Sequence, residues 1–328
     1  MKIIFHTHLA LDFPERVAAF TEHYPQHQFV VVKDKDELFA HASDAEVLID
    51  HRINEELLDA APKLKWVFIP FTGVNFLPWE LLISRGVRVC NNHGNARIVA
   101  ERALALALDA MGRVSEFDRG MRRGNWHRRE GREEPFVLWT SLSGARAAIL
   151  GTGAIGTAIA EFLAPFTDNI IGFRRRSGGA AVGNFREITN DLKTALRGAR
   201  ICFISLPLTP STEGLIGAEE LSLMDGGFLV NVSRGGIVAE EPLYQALSDG
   251  RLAGAGLDVW YRYPEPFTAE CLPSDYPFHE LDNVVLSPHA GSHAPEGKMG
   301  QLEGTLENLA ALIETGEPRD IADPLTGY

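Results

Sequence analysis

Apolar and polar positions along this chain follow two periods in turn. Short apolar runs, which predict buried strands, are separated by segments with apolar residues every three or four positions, which predict helices. In the first 95 residues the runs are Lys2–Phe5, Phe29–Val32, Val47–Asp50, Leu64–Pro70 and Val87–Asn91. Helical spacing covers Asp12–Tyr24, Lys35–Ala42 and Asn54–Ala61, and Pro62 and Pro70 mark element ends. A second series fills residues 144–290, with strands at Ala147–Leu150, Asn169–Phe173, Ile201–Ser205, Phe228–Val232, Gly254–Val259 and Val284–Ser287. Strands that alternate with helices predict an α/β protein with parallel sheets covered by helices. The six strands of the second series match two mononucleotide-binding halves.

Between the two series, Arg97–Arg122 reads as one long helix. Its Ala/Leu-rich start is apolar on more than one face, which suits a domain junction or a subunit interface as well as a plain core helix. Residues 123–143, with Trp126 and Trp139, are irregular and read as a surface excursion or dimer arm. After Pro295, Lys298–Thr315 reads as a helix that returns to pack on the first domain.

The most informative turn follows the first strand of the second series, in Ala147–Gly156. Gly151 permits a tight bend, Gly153 lets the backbone approach a pyrophosphate, and Gly156 allows close packing. The helix that follows presents the amides of Ala154, Ile155 and Gly156 to the phosphates. A glycine triplet alone is a weak signal, since any tight turn can carry one. Here the strand precedes it and the helix follows it. No such turn follows Lys2–Phe5, so the nucleotide is expected in the second series alone.

Composition narrows the partners. With 328 residues the chain is long enough for two domains. Its net charge of −13 argues against nucleic acid held through phosphates. No apolar stretch is long enough to span a bilayer, and the first residues read as a strand rather than a signal peptide. Cys90, Cys202 and Cys271 lack metal-site spacing, so no metal is expected, and a reducing cytoplasm is the simplest location.

In a dinucleotide fold an acidic residue about 20 positions after the turn holds the ribose hydroxyls. Here that place holds Arg174, Arg175 and Arg176 and no acid. A carboxylate would repel a 2′-phosphate, whereas a guanidinium pairs with it. NADP(H) is therefore expected in preference to NAD(H), with Arg174 and Arg175 nearest the ribose. A solvated basic loop is the plainer account.

Three further stretches, Ser205–Thr212, Asn231–Val238 with Pro242–Leu247, and Gly254–Trp260 with Ser287–Ser292, resemble the D-isomer-specific 2-hydroxyacid dehydrogenase family. The resemblance covers roughly residues 64–310, and the NADP-preferring glyoxylate/hydroxypyruvate reductases are its nearest pattern. It implies two doubly wound parallel-sheet domains, with a Rossmann-type nucleotide domain (97–293) inserted into a flavodoxin-like substrate domain (1–96 and 294–328). It places the active site in the cleft and implies a homodimer.

The resemblance also implies roles for individual residues. Arg234 would clamp the substrate carboxylate and polarise its carbonyl, and His289 would be the acid/base, with His293 a second candidate. The family glutamate that pairs with the histidine falls on Tyr263, and Glu265 stands two residues on. Leu206, Pro207 and Thr212 would border the cofactor. Val232, Ser233, Asp258 and Ser292 would lie toward the nicotinamide, although a buried structural aspartate is the competing account of Asp258. Gly73 and Val74, in the loop Phe71–Asn75, would hold the substrate carboxylate, and Asn95 would contact substrate. The expected activity is hydride transfer between NADPH and a small 2-oxo acid. The alternatives are a nucleotide-sensing, corepressor-like protein, or an enzyme of the same fold that oxidises another small anion such as formate or phosphite.

Overall fold

The computed structural model describes residues 1–126, 138–175, 183–266 and 268–323. Two compact units emerge, Met1–Asn95 with His293–Tyr328, and Ala96–Ser292.

The first unit holds β1 (Lys2–Phe5), β2 (Gln28–Val31), β3 (Val47–Ile49), β4 (Trp66–Phe68) and β5 (Arg88–Cys90) in the order β2-β1-β3-β4-β5, all parallel. Successive side chains leave opposite faces of a strand, so each strand feeds two cores. Ile3, Phe5, Val47, Ile49, Trp66 and Phe68 pack with Leu302, Leu306, Leu309 and Leu312 of the last helix. Ile4, Leu48, Val67 and Val89 pack on the other side with Leu38, Leu57 and Leu82.

The second unit holds β6 (Ala147–Leu150), β7 (Ile170–Phe173), β8 (Glu187–Thr189), β9 (Ile201–Ile204), β10 (Phe228–Asn231), β11 (Gly254–Leu257) and β12 (Val284–Leu286). Their order is β12-β11-β10-β9-β6-β7-β8, again wholly parallel. Both sheets reverse direction beside their first strand, which leaves a crevice at the carboxyl ends where such folds bind ligands.

Three expectations need correction. The sheet of the second unit has seven strands. Its edge strand β8 is only Glu-Ile-Thr, too short and too exposed to show as an apolar run. The helix expected over Asp12–Tyr24 is two, His8–Asp12 and Pro14–His23. Pro14 has no amide hydrogen to continue the first helix and is suited to start the second. The helix expected over Arg97–Arg122 is also two, Ala96–Gly112 and Val114–Arg122. Arg113 turns left-handed at φ 54°, and Asp109 takes the Ser115 amide at 2.7 Å to start the new direction. Of the supposed surface arm, residues 127–137 lie outside the described residues, while Trp126 and Trp139 are both exposed.

The last helix, Pro295–Thr315, also fixes the edge of the first sheet. Buried Asn308 donates to Asn91 O (3.1 Å) and Asp320 Oδ2 (3.0 Å), and accepts from the amides of Arg319 (2.9 Å) and Asp320 (3.0 Å). Asn91 in turn donates to Thr72 O at 2.7 Å, so the loop after β4 hangs from this network. Asn308→Ala would strand several buried polar groups, and a loss of about 2–3 kcal/mol is expected in urea unfolding.

Candidate functional site

The turn after β6 is built for an anion. Gly151 has φ +102°, and a Cβ there would lie 2.9 Å from the Ser205 backbone. A Cβ on Gly156 would lie 1.9 Å from Gly151 O, so only glycine lets the helix Ala154–Leu163 start this close to the turn. At Gly153, by contrast, a Cβ would meet nothing within 4 Å. One side of the turn is packed and the other is open. Among the described residues, the amides of Ala154, Ile155 and Gly156 find no acceptor within the turn, whereas Thr157 N bonds Gly153 O at 2.9 Å. These first-turn donors fit a pyrophosphate.

Beyond β7, Arg174 is partly buried and bonds Thr189 O through its amide at 3.1 Å. Arg175 is exposed, and its Nη1 donates to Ser211 Oγ at 3.2 Å. Ser211 lies in the loop after β9, which also contains Leu206, Pro207 and Thr212. Thr212 Oγ1 closes that loop on Pro207 O at 2.6 Å and takes the Thr209 amide at 2.8 Å. The third arginine of the run, Arg176, lies outside the described residues.

The loops after β10, β11 and β12 meet around Arg234 and His289. Asn231 caps the first of them: its Oδ1 takes the Ser233 amide and hydroxyl, each at 3.0 Å, and its Nδ2 donates to Arg234 O at 2.9 Å. A Cβ on Gly235 would lie 2.3 Å from Trp260 O, so glycine is required for the β10 and β11 loops to touch. Trp260 Nε1 then donates to Ser287 O at 2.8 Å and ties the β12 loop to the same place. Val232 and Ser233 are buried at the base, and Ser292 is partly buried at the end of the β12 loop.

Asp258 is 1% exposed, and its carboxylate holds the histidine loop. Oδ1 accepts from Ser287 Oγ and from the Ala290 amide at 2.9 Å, and Oδ2 accepts from the Gly291 amide at 2.9 Å. Between these anchors His289 is driven to φ 55° and presents an exposed ring. This is the structural account of Asp258. Its donors come from its own unit. Arg102, on the helix Ala96–Gly112, donates to Ser287 Oγ at 2.9 Å and backs the same carboxylate. Asn231 and Arg102 went unassigned in the sequence. The Asn-x-x-Arg spacing could have signalled the first, but nothing local signals the second.

Tyr263 joins the two candidate catalytic groups. Its ring lies 5.6 Å from the His289 ring, and its hydroxyl accepts the Trp260 amide at 3.2 Å. Burial pulls the Arg234 guanidinium below its ordinary value, and the neighbouring Tyr263 phenol acts the other way. Burial raises the phenol above its ordinary value, opposed by the Trp260 amide and by Arg234, so it stays neutral at physiological pH. Glu265 is exposed and takes no hydrogen bond or ion pair among the described residues. The structure therefore gives His289 the tyrosine as neighbour rather than the glutamate. His293 is exposed just before the last helix.

In the first unit, the loop after β4 has its carbonyls tied back. Thr72 O takes Asn91 Nδ2 (2.7 Å), and Val74 O takes Trp79 Nε1 (3.2 Å). The Gly73 and Val74 amides have no acceptor among the described residues. Asn95 is buried, and its Oδ1 has no donor.

A model of the D-isomer specific 2-hydroxyacid dehydrogenase NAD binding domain matches residues 104–291. The chain belongs to this family. The glyoxylate reductase of Thermococcus litoralis is 34% identical over 279 residues, 84% of this chain and 82% of its own. That of Aeropyrum pernix is 33% identical over 323 residues, 95% of this chain and 93% of its own. The NADPH-dependent glyoxylate/hydroxypyruvate reductase of Sinorhizobium meliloti, solved with NADP and malonate, is 26% identical with a TM-score of 0.75, over 99% of this chain and 98% of that one. The protein is thus a D-2-hydroxyacid dehydrogenase, which moves a hydride between a nicotinamide cofactor and a 2-oxo/2-hydroxy acid pair.

A carboxylate beside the imidazole would favour imidazolium and raise its pKa, which a neutral phenol does not do. With the imidazole as the candidate proton donor, reduction would need the protonated ring and be lost as pH rises through that pKa. Tyr263→Glu is expected to carry the falling limb of the reductive kcat/KM profile to higher pH by about one unit. Steady-state kinetics between pH 5 and about 10 read this shift, and an unshifted limb would show that no charge reaches the ring.

Proposed function

We propose that this dehydrogenase reduces small 2-oxo acids to D-2-hydroxy acids with NADPH in preference to NADH. The observation that carries the reading is that the loops bearing Arg234, Tyr263 and His289 leave the carboxyl ends of β10, β11 and β12 side by side, tied by the Trp260 indole, with the Tyr263 ring 5.6 Å from His289. The Gly73 and Val74 amides receive the substrate carboxylate, and the Asn95 carboxamide oxygen accepts from a substrate hydroxyl. Arg234, planar and permanently charged, orients the oxo acid and stabilises the negative charge that gathers on the carbonyl oxygen. His289 supplies the proton to that oxygen, and in the reverse direction removes it. Tyr263 holds the imidazole ring in place.

The bound nicotinamide supplies the hydride. The Ala154, Ile155 and Gly156 amides would hold its pyrophosphate, with Leu206, Pro207, Thr212, Val232, Ser233 and Ser292 bordering the cofactor. Arg174 and Arg175 would hold the 2′-phosphate, where the absence of any acid and the placing of Arg175 on Ser211 support the choice of NADP(H). Glyoxylate and hydroxypyruvate are the first substrates to try, in keeping with the relatives. A panel of 2-oxo acids with both reduced cofactors is expected to show higher kcat/KM with NADPH. Replacing Arg174 and Arg175 together by alanine should lower the NADPH/NADH ratio about tenfold or more. A wild-type preference for NADH would overturn the cofactor reading.

The same reading makes the enzyme a cytoplasmic homodimer. Free Cys90, Cys202 and Cys271 support a reducing location. Exposed Val114, Met121, Trp126 and Trp139 support an apolar face that a second copy covers. Sedimentation velocity is expected to give the mass of two chains, and a single-chain mass would refute the dimer.

A further inference from the structure

Two tyrosines in the loop after β11 make opposite use of their hydroxyls. Tyr261 is half-buried: its ring stacks on Phe278 at 6.3 Å, and its O–H donates to Val238 O at 3.0 Å. Tyr263, two residues on, is 41% exposed, and its ring meets that of His289 at 5.6 Å. Its hydroxyl oxygen accepts the Trp260 amide at 3.2 Å, while its O–H has no acceptor among the described residues. A hydroxyl that accepts one hydrogen bond is a stronger donor of the next. A polarised and unspent donor therefore stands beside the candidate acid/base.

The donor is also held in place. The amides of Tyr261 (3.3 Å) and Arg262 (3.0 Å) both bond Pro273 O, and Arg262 pairs with Asp275. Trp260, which gives its amide to the phenol, lies against Gly235 and ties its indole to Ser287 O at 2.8 Å. Packing does not require the oxygen, since a phenylalanine ring would meet His289 equally well. Nor does a neighbouring acid claim the hydrogen. Asp258 is engaged by Ser287, Ala290 and Gly291, and Glu265 is exposed and takes no hydrogen bond among the described residues. Arg234 is close enough to pull the phenol pKa down while burial pushes it up, and a guanidinium cannot accept the O–H.

We infer that Tyr263 is a third catalytic residue of the reduction, whose O–H donates to the carbonyl oxygen of the 2-oxo acid as negative charge gathers there. The role rests on the proposed reduction of 2-oxo acids, in which Arg234 and His289 converge on that same oxygen. As the hydride reaches the carbonyl carbon, the C=O pair moves to oxygen, and the new lone pair takes the proton of His289. The phenol keeps its own hydrogen throughout and stabilises the charge by a fixed hydrogen bond.

Tyr263→Phe removes the O–H and keeps the ring. Its rate of hydride transfer from NADPH to saturating glyoxylate, read in a single turnover, is expected to fall about tenfold or more, with KM changed less than about threefold. The falling limb of the pH profile is expected to stay where it is in wild type, and NADPH to bind within about threefold of wild type. A wild-type rate in the phenylalanine enzyme overturns the assignment and leaves the tyrosine as a support for the imidazole. A limb displaced by about half a unit or more also overturns it, because the hydroxyl then acts through His289. NADPH binding weakened about tenfold or more overturns it as well, because the hydroxyl then serves to hold the loops. In each of these cases the parent reading stands, whereas a wild type that reduces no 2-oxo acid overturns both.

Discussion

A single buried carboxylate organises the candidate catalytic loops. Asp258 gathers donors from Ser287, Ala290 and Gly291, and the segment between them has to arch. That arch carries His289 at a backbone angle few side chains adopt. A buried charge is tolerable only when its lone pairs are filled, so the loop wraps the aspartate closely. The fit is tight, since a Cβ on Gly291 would come within 2.9 Å of Asp258 Oδ2. Arg102, reaching Ser287 from the long helix, brings positive charge to the same network.

The remaining geometry follows from parallel strands. Each strand ends at the same rim of its sheet, and the loops leaving that rim need no regular ladder. Their polar groups are therefore open to other partners. In the second unit, three such loops are joined by backbone contact at Gly235, by the Trp260 indole and by Tyr263. In the first unit the loops after β3 and β4 are joined by the His51 and Phe71 rings. Each sheet thus presents chemistry at its own crevice, through one rule of chain topology applied twice.

Tyr263 stands beside His289 where the resemblance implies a glutamate, and the difference is one of charge. A carboxylate would hold an imidazolium by charge, whereas the phenol touches the ring and carries no charge at neutral pH. Glu265, nearby in sequence, does not substitute, because its side chain stays in solvent.

Much of this was legible in the chain alone. Apolar runs located eleven of the twelve strands among the described residues, because buried parallel strands are apolar on both faces. The glycine turn and the Arg234 and His289 motifs were readable because each needs particular residues close together in sequence. The edge strand Glu187–Thr189 was not, since it buries too little to need an apolar run. The break at Arg113 was also invisible, because helical spacing continues across it. Tertiary structure alone decided which residue faces His289, that Asp258 is a clamp, and that Arg102 backs it. Those contacts join residues far apart in the chain, and no local pattern encodes a distance that only packing creates.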